Sequence, residues 1–95
     1  LVPNKSALSQ NFPNPFNPET TIQFELSVAG NFQLVIFDVL GRRVRELVNE
    51  NLASGSFQVR WDGRDDLGRE VSSGIYVYQL IGKGVAVSRK MMLLR

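Results

Sequence analysis

Apolar and polar side chains alternate in three stretches of this chain. In Thr20–Leu26, Ile22, Phe24 and Leu26 share one face, and Thr21, Gln23 and Glu25 share the other. That is the period-two signature of a half-buried strand. Phe32, Leu34 and Ile36 repeat it, as do Phe57, Val59 and Trp61. Residues 75–80 are apolar on both faces, which predicts a strand in the centre of a sheet. Residues 42–50 are less regular, since Val44, Leu47 and Val48 fit a short helix about as well as a bulged strand. A lone short helix in a β pattern is marginal, so a bulged strand is expected.

Turn chemistry separates these runs. Residues 28–31 offer Gly30 and Asn31 for positive φ, Gly41 closes 38–41, and residues 51–55 form a loop. Residues 62–69 make a polar loop with two glycines and three aspartates. A short piece around Glu70 and Val71 leads through 72–74 to the central strand. Gly82, Lys83 and Gly84 turn the chain into a last strand over 85–95. About seven short strands with turns between them predict an all-β fold, an antiparallel β-sandwich. Tyr76, just after Gly74, is placed for a tyrosine corner whose hydroxyl bonds back to the main chain.

Ahead of the first strand lies Asn11-Phe12-Pro13-Asn14-Pro15-Phe16-Asn17-Pro18. Proline fixes φ and pushes the preceding residue toward extended backbone, which excludes helix. Such a segment loses little conformational entropy on docking. Burying each phenylalanine is favourable by roughly 1.5–3 kcal/mol. We therefore expect a stiff lead-in whose two rings pin it to one end of the β domain, against the simpler alternative of a proline-rich linker.

Ninety-five residues suffice for one domain with a modest core. The net charge of +2 is small and the arginines are scattered, which argues against a nucleic-acid partner. The chain has no cysteine and no histidine, so disulfides, thiolate chemistry, the usual zinc sites and imidazole catalysis are excluded. Its carboxylates sit in turns without a cleft, and no enzyme activity or cofactor is expected. No run approaches the ~20 apolar residues of a membrane helix. Residues 1–10 show no leader-like pattern and begin with Leu1, so they are expected to be linker from an upstream protein, with 11–95 as the domain.

Two constellations invite a ligand. Asp62, Asp65 and Asp66 could offer oxygens to calcium, although their spacing departs from the EF-hand and turn capping explains them too. Trp61, Tyr76 and Tyr78 could stack on a sugar, but Trp61 is in phase with Phe57 and Val59, as a core residue would be. The last strand places Val85, Val87, Arg89, Met91 and Leu93 on one face and Ala86, Ser88, Lys90, Met92 and Leu94 on the other. A terminal edge strand of this kind offers unpaired backbone groups to a partner's sheet, or to a second copy of the chain.

Five segments recur in order: 13–18 (Pro-Asn-Pro-Phe-Asn-Pro), 37–44 (Phe-Asp-Val-Leu-Gly-Arg-Arg-Val), 61–65 (Trp-Asp-Gly-Arg-Asp), 73–76 (Ser-Gly-Ile-Tyr) and 89–94 (Arg-Lys-Met-Met-Leu-Leu). Together they resemble the type A C-terminal sorting domain of the type IX secretion system, a family similar to the immunoglobulin-like domain of the flagellar hook-capping protein. The resemblance implies an immunoglobulin-like sandwich that directs a large exported protein through an outer-membrane translocon to the cell surface or the medium. It implies a surface sorting protease that cuts within 1–10. Translocon recognition would fall on Pro13, Asn14, Pro15 and Phe16 and on Lys90, Met91, Met92, Leu93, Leu94 and Arg95. The alternatives are an accessory carbohydrate-binding module of a secreted hydrolase and a spacer or assembly module.

Overall fold

A computed structural model describes residues 5–95 of the chain. Seven strands follow one another: β1 (Ala7–Leu8), β2 (Thr20–Leu26), β3 (Gly30–Asp38), β4 (Arg43–Leu52), β5 (Gly55–Trp61), β6 (Gly74–Gly82) and β7 (Val85–Leu93). They form a three-stranded sheet in the order β1-β2-β5 and a four-stranded sheet in the order β4-β3-β6-β7, with every pairing between strands antiparallel. The expected all-β sandwich is the observed fold.

The alternating residues meet between the sheets. Ile22, Phe24 and Leu26 of β2 join Phe32, Leu34 and Ile36 of β3 in one buried cluster, with Leu8, Phe16, Trp61, Tyr76, Tyr78, Leu80, Met91 and Leu93 completing it. The central position of β6, between β3 and β7, is the one its two apolar faces predicted. In β4 the register with β3 shifts twice, between Leu34 and Val35 and between Ile36 and Phe37. Those irregularities blurred the sequence period, and the bulged strand is what forms. Tyr76 makes the corner, its hydroxyl donating to Ser72 O at 2.7 Å.

Several boundaries differ from expectation. Gly30 and Asn31 lie inside β3 rather than in a turn, because they pair with Leu52 and Asn51 of β4, and Gly30 packs against the Lys83 side chain. Strands β4 and β5 extend to Leu52 and from Gly55, leaving a shorter connection than predicted. Lys83 and Gly84 both take positive φ, 47° and 78°, the geometry that matches the twist of a two-residue hairpin. The linker expected over 1–10 gives way to structure by residue 7, where β1 pairs with Glu25 and Phe24. Its first four residues lie outside the described ones.

Candidate functional site

The two candidate recognition segments, 74 or more residues apart in sequence, touch. Phe16 N–H donates to Met92 O at 3.0 Å and Leu94 N–H donates to Phe16 O at 2.9 Å, so Phe16 adds one parallel bridge to the outer edge of β7. Met92 N–H is taken by Asn14 Oδ1 at 3.0 Å, and Gln10 Nε2 donates to Lys90 O at 2.7 Å. At its other end the lead-in belongs to the opposite sheet, with Phe12 and Thr21 exchanging both backbone bonds at 2.9 Å. The proline segment is thus a strap fastened to both sheets.

Its interior is polar and fully satisfied. Asn11 is buried, and its side chain donates to Pro13 O and Thr20 Oγ1, while Thr20 Oγ1 donates to Pro13 O at 2.8 Å. Tyr78 OH accepts from Asn11 N–H at 2.8 Å and donates to Ser9 O at 2.7 Å. Burial of the Tyr78 ring pushes its hydroxyl pKa upward, which keeps it the neutral donor this network needs. Buried groups paired in this way hold the strap in one conformation. Neither Asn11 nor Thr20 was singled out from the sequence, although their positions flanking the prolines were the available signal.

The two phenylalanines of the strap part company. Phe16 is buried, 5.7 Å from Trp61 between ring centres, whereas Phe12 is 80% exposed. The expectation that both rings pin the lead-in therefore holds only for Phe16, because Phe12 is committed through its backbone alone.

Among the other candidates, Met91 and Leu93 are core residues, which their in-phase spacing with Val85 and Val87 already allowed. Pro13, Asn14, Pro15, Lys90, Met92 and Leu94 are exposed, with the Asn14 side chain bound to Met92. Arg95 is stitched inward. Its N–H donates to Ser73 Oγ at 2.8 Å, Nε to Val71 O at 2.5 Å and Nη2 to Gly63 O, with Nη1 3.6 Å from Glu70 Oε2. Gly63 has φ +75°, and a Cβ there would meet Arg95 Nη2 at 2.8 Å. The positive φ favours glycine at that position.

The edge of β7 needs correction. The strap occupies outward-facing groups of Lys90, Met92 and Leu94, so the backbone expected to be open to a partner is taken there. The unshifted pairing with β6 puts Ala86 and Ser88 in the same outward phase, beyond the strap. Backbone pairing by a second strand is thereby limited to that half of the edge.

The aspartates do not gather around an ion. Asp62 Oδ1 accepts from Arg64 N–H and Arg45 Nη1, Asp65 caps Leu67 and Arg69, and Asp66 caps Glu46 N–H and pairs with Arg43. No group of three metal-ligating side chains forms among the described residues, and the calcium reading gives way to turn capping. Asp38 and Asp65 build the same turn twice. Each carboxylate accepts from the N–H two and four residues on and from that last residue's guanidinium, Arg42 or Arg69. The backbone N–H of Arg42 and of Arg69, ahead of the other contacts, holds Asp38 and Asp65 below the ordinary carboxylate pKa. Glu46 N–H does the same for Asp66.

The sugar platform is also ruled out as an open surface. Trp61 and Tyr78 are fully buried and Tyr76 nearly so, with Trp61 Nε1 donating to Arg64 O at 2.8 Å.

The FlgD Ig-like domain family matches residues 10–83, which leaves β7 beyond the matched stretch. The chain belongs to that family. No curated protein matches its sequence. Among solved structures it is similar to dimeric latent PorU from Porphyromonas gingivalis, with a TM-score of 0.74 and 20% identity over 99% of this chain. It is similar to PorZ, an essential surface component of the type IX secretion system of the same bacterium, with a TM-score of 0.59 and 21% identity over 90% of this chain. The chain spans about a tenth of each of those proteins, 10% and 11%. FlgD from P. aeruginosa gives a TM-score of 0.62 and 22% identity, covering 96% of this chain and 70% of FlgD. At these identities the likeness shows the immunoglobulin-like fold.

Proposed function

We propose that this domain is a non-enzymatic sorting signal that directs a large exported protein through the type IX secretion system to the cell surface or the medium. The observation that carries the reading is the junction of strap and terminal strand, which joins the two segments of the sorting-domain resemblance into one surface. Lys90, Met92 and Leu94 are presented outward on it, while Phe16, Met91, Leu93 and Arg95 hold it in place. The likeness to domains of PorU and PorZ supports the same reading. Recognition then works through side chains rather than a free backbone edge. A sorting protease would cut before Ser6, whose hydroxyl is already tied to Ser27. The family match favours a second reading, an assembly module like the hook-capping domain.

Removing 90–95 would delete core residues and report only on folding, so a milder change tests the proposal. The full chain fused behind a periplasmic reporter, in a host with this secretion system, should bring the reporter to the surface. Leu94→Asp, at a position 48% exposed, should leave the domain folded and trap the reporter in the periplasm. A wild-type fusion that folds and stays in the periplasm would refute the sorting role.

A further inference from the structure

The outer faces of the two sheets are unlike. On the three-stranded sheet the outward residues of β2 and β5 are Thr21, Gln23, Glu25, Ser56, Gln58 and Arg60, all polar. A solvated sheet face is expected to look so. On the four-stranded sheet, side chains opposite one another across β4, β3, β6 and β7 form the row Arg43, Phe37, Val77, Lys90. Beside it Ile75 lies opposite Met92, while on the same face Val35 is itself buried and Ile81 is set apart by Gln79 and Gln33. Phe37, Ile75, Val77, Ile81 and Met92 neither belong to the core cluster nor pack against it. Phe37, Ile75 and Val77 are half-buried in their own sheet, and Ile81 and Met92 are each 37% exposed.

Lys90 gives this face its sign. Every arginine from Arg42 to Arg69, and Arg95 as well, has a carboxylate within 4 Å, whereas Lys90 has none among the described residues. The carboxylate on the face, Glu46, is engaged by Arg43 at 3.5 Å. An unpaired ammonium bordering an apolar row is complementary to a carboxylate set among apolar side chains. A second copy of the chain offers no such group, since an isologous contact would lay the same cationic rim on itself.

We propose that the outer face of the four-stranded sheet, centred on Phe37, Val77, Ile75 and Met92 with Lys90 at its border, is the surface that docks on the export receptor, a protein presenting apolar side chains around a carboxylate. The inference rests on the sorting reading and extends it from the terminal strand to β3 and β6. It explains why Lys90 and Met92, neither of which serves the core, sit side by side with an apolar surface that the fold itself does not need covered.

The test uses the full chain fused to the reporter, with three variants whose thermal midpoints are measured alongside export. Val77→Arg and Lys90→Glu should each lower surface reporter at least tenfold with midpoints near that of the wild type. Gln23→Lys, on the polar face, should export normally. Lys90→Glu changes an exposed side chain, so it keeps the test decisive if Val77→Arg fails to fold. Wild-type export by Lys90→Glu, equal loss from Gln23→Lys, or a dimer in sedimentation that Val77→Arg dissolves would overturn the docking surface while leaving the sorting role standing. Failure of the unaltered fusion to leave the periplasm would remove both.

Discussion

The two sheets share one core but treat water differently. Both send their alternate apolar residues inward, and both are crossed by the same strap, at Phe12 on one side and Phe16 on the other. Outward, β2 and β5 carry only polar side chains, while β3, β6 and β7 set Phe37, Ile75, Val77, Ile81 and Met92 among Gln33, Gln79, Ser88 and Lys90. Core burial accounts for the first pattern completely and for the second not at all. Apolar residues on that face gain only cross-strand contacts within their own sheet, and an exposed apolar patch marks what the sheet meets.

The contrast can be broken first at the inner faces, where the effects are largest. Phe16→Ala on the strap and Phe24→Ala in the three-stranded sheet should each destabilise by about 3–5 kcal/mol, read as a lower urea midpoint. A much smaller loss for either would mean that the core is not shared evenly. Acid tests the turns at an intermediate level. Asp38 and Asp65 have folded pKa values held below the unfolded one, so their contribution is complete above the ordinary carboxylate pKa and is lost as pH falls through the folded values. Thermal midpoints should drop below about pH 4, and the double change Asp38→Asn with Asp65→Asn should flatten that drop while leaving the core untouched. The smallest effect belongs to the polar face. Arg60→Ala removes a pair with Glu19 in which both side chains are largely exposed, and should shift stability by no more than about 0.5 kcal/mol. A larger shift would give that face a role which the contrast denies it.

Much of the fold was legible because it rests on period two. Strands β2, β3 and β5 announced themselves in Ile22, Phe24, Leu26, Phe32, Leu34, Ile36, Phe57, Val59 and Trp61, β6 in its two-faced apolar run, and the corner was visible from Tyr76 beside Gly74. What escaped were interactions without a local signature. β1 is two residues long and exists only as a partner for Glu25 and Phe24. The capping of β7 depends on groups 78 to 80 residues away, Asn14 to Met92 and Gln10 to Lys90, which no window of sequence connects. Arg95 was named only for recognition, because nothing nearby reveals the carbonyls of Gly63 and Val71 that receive it. The apolar row was half legible: the two-faced pattern of 75–80 placed β6 centrally, but only the register shows that Phe37 and Lys90 flank Val77 in one line.

The strap also bears on timing. Phe16 can reach Met92 and Leu94 only after everything between them has been made and packed. On the sorting reading proposed above, a label divided between those two places is absent from a nascent, misfolded or truncated chain. Machinery that reads it would admit finished molecules alone, with no separate inspector required.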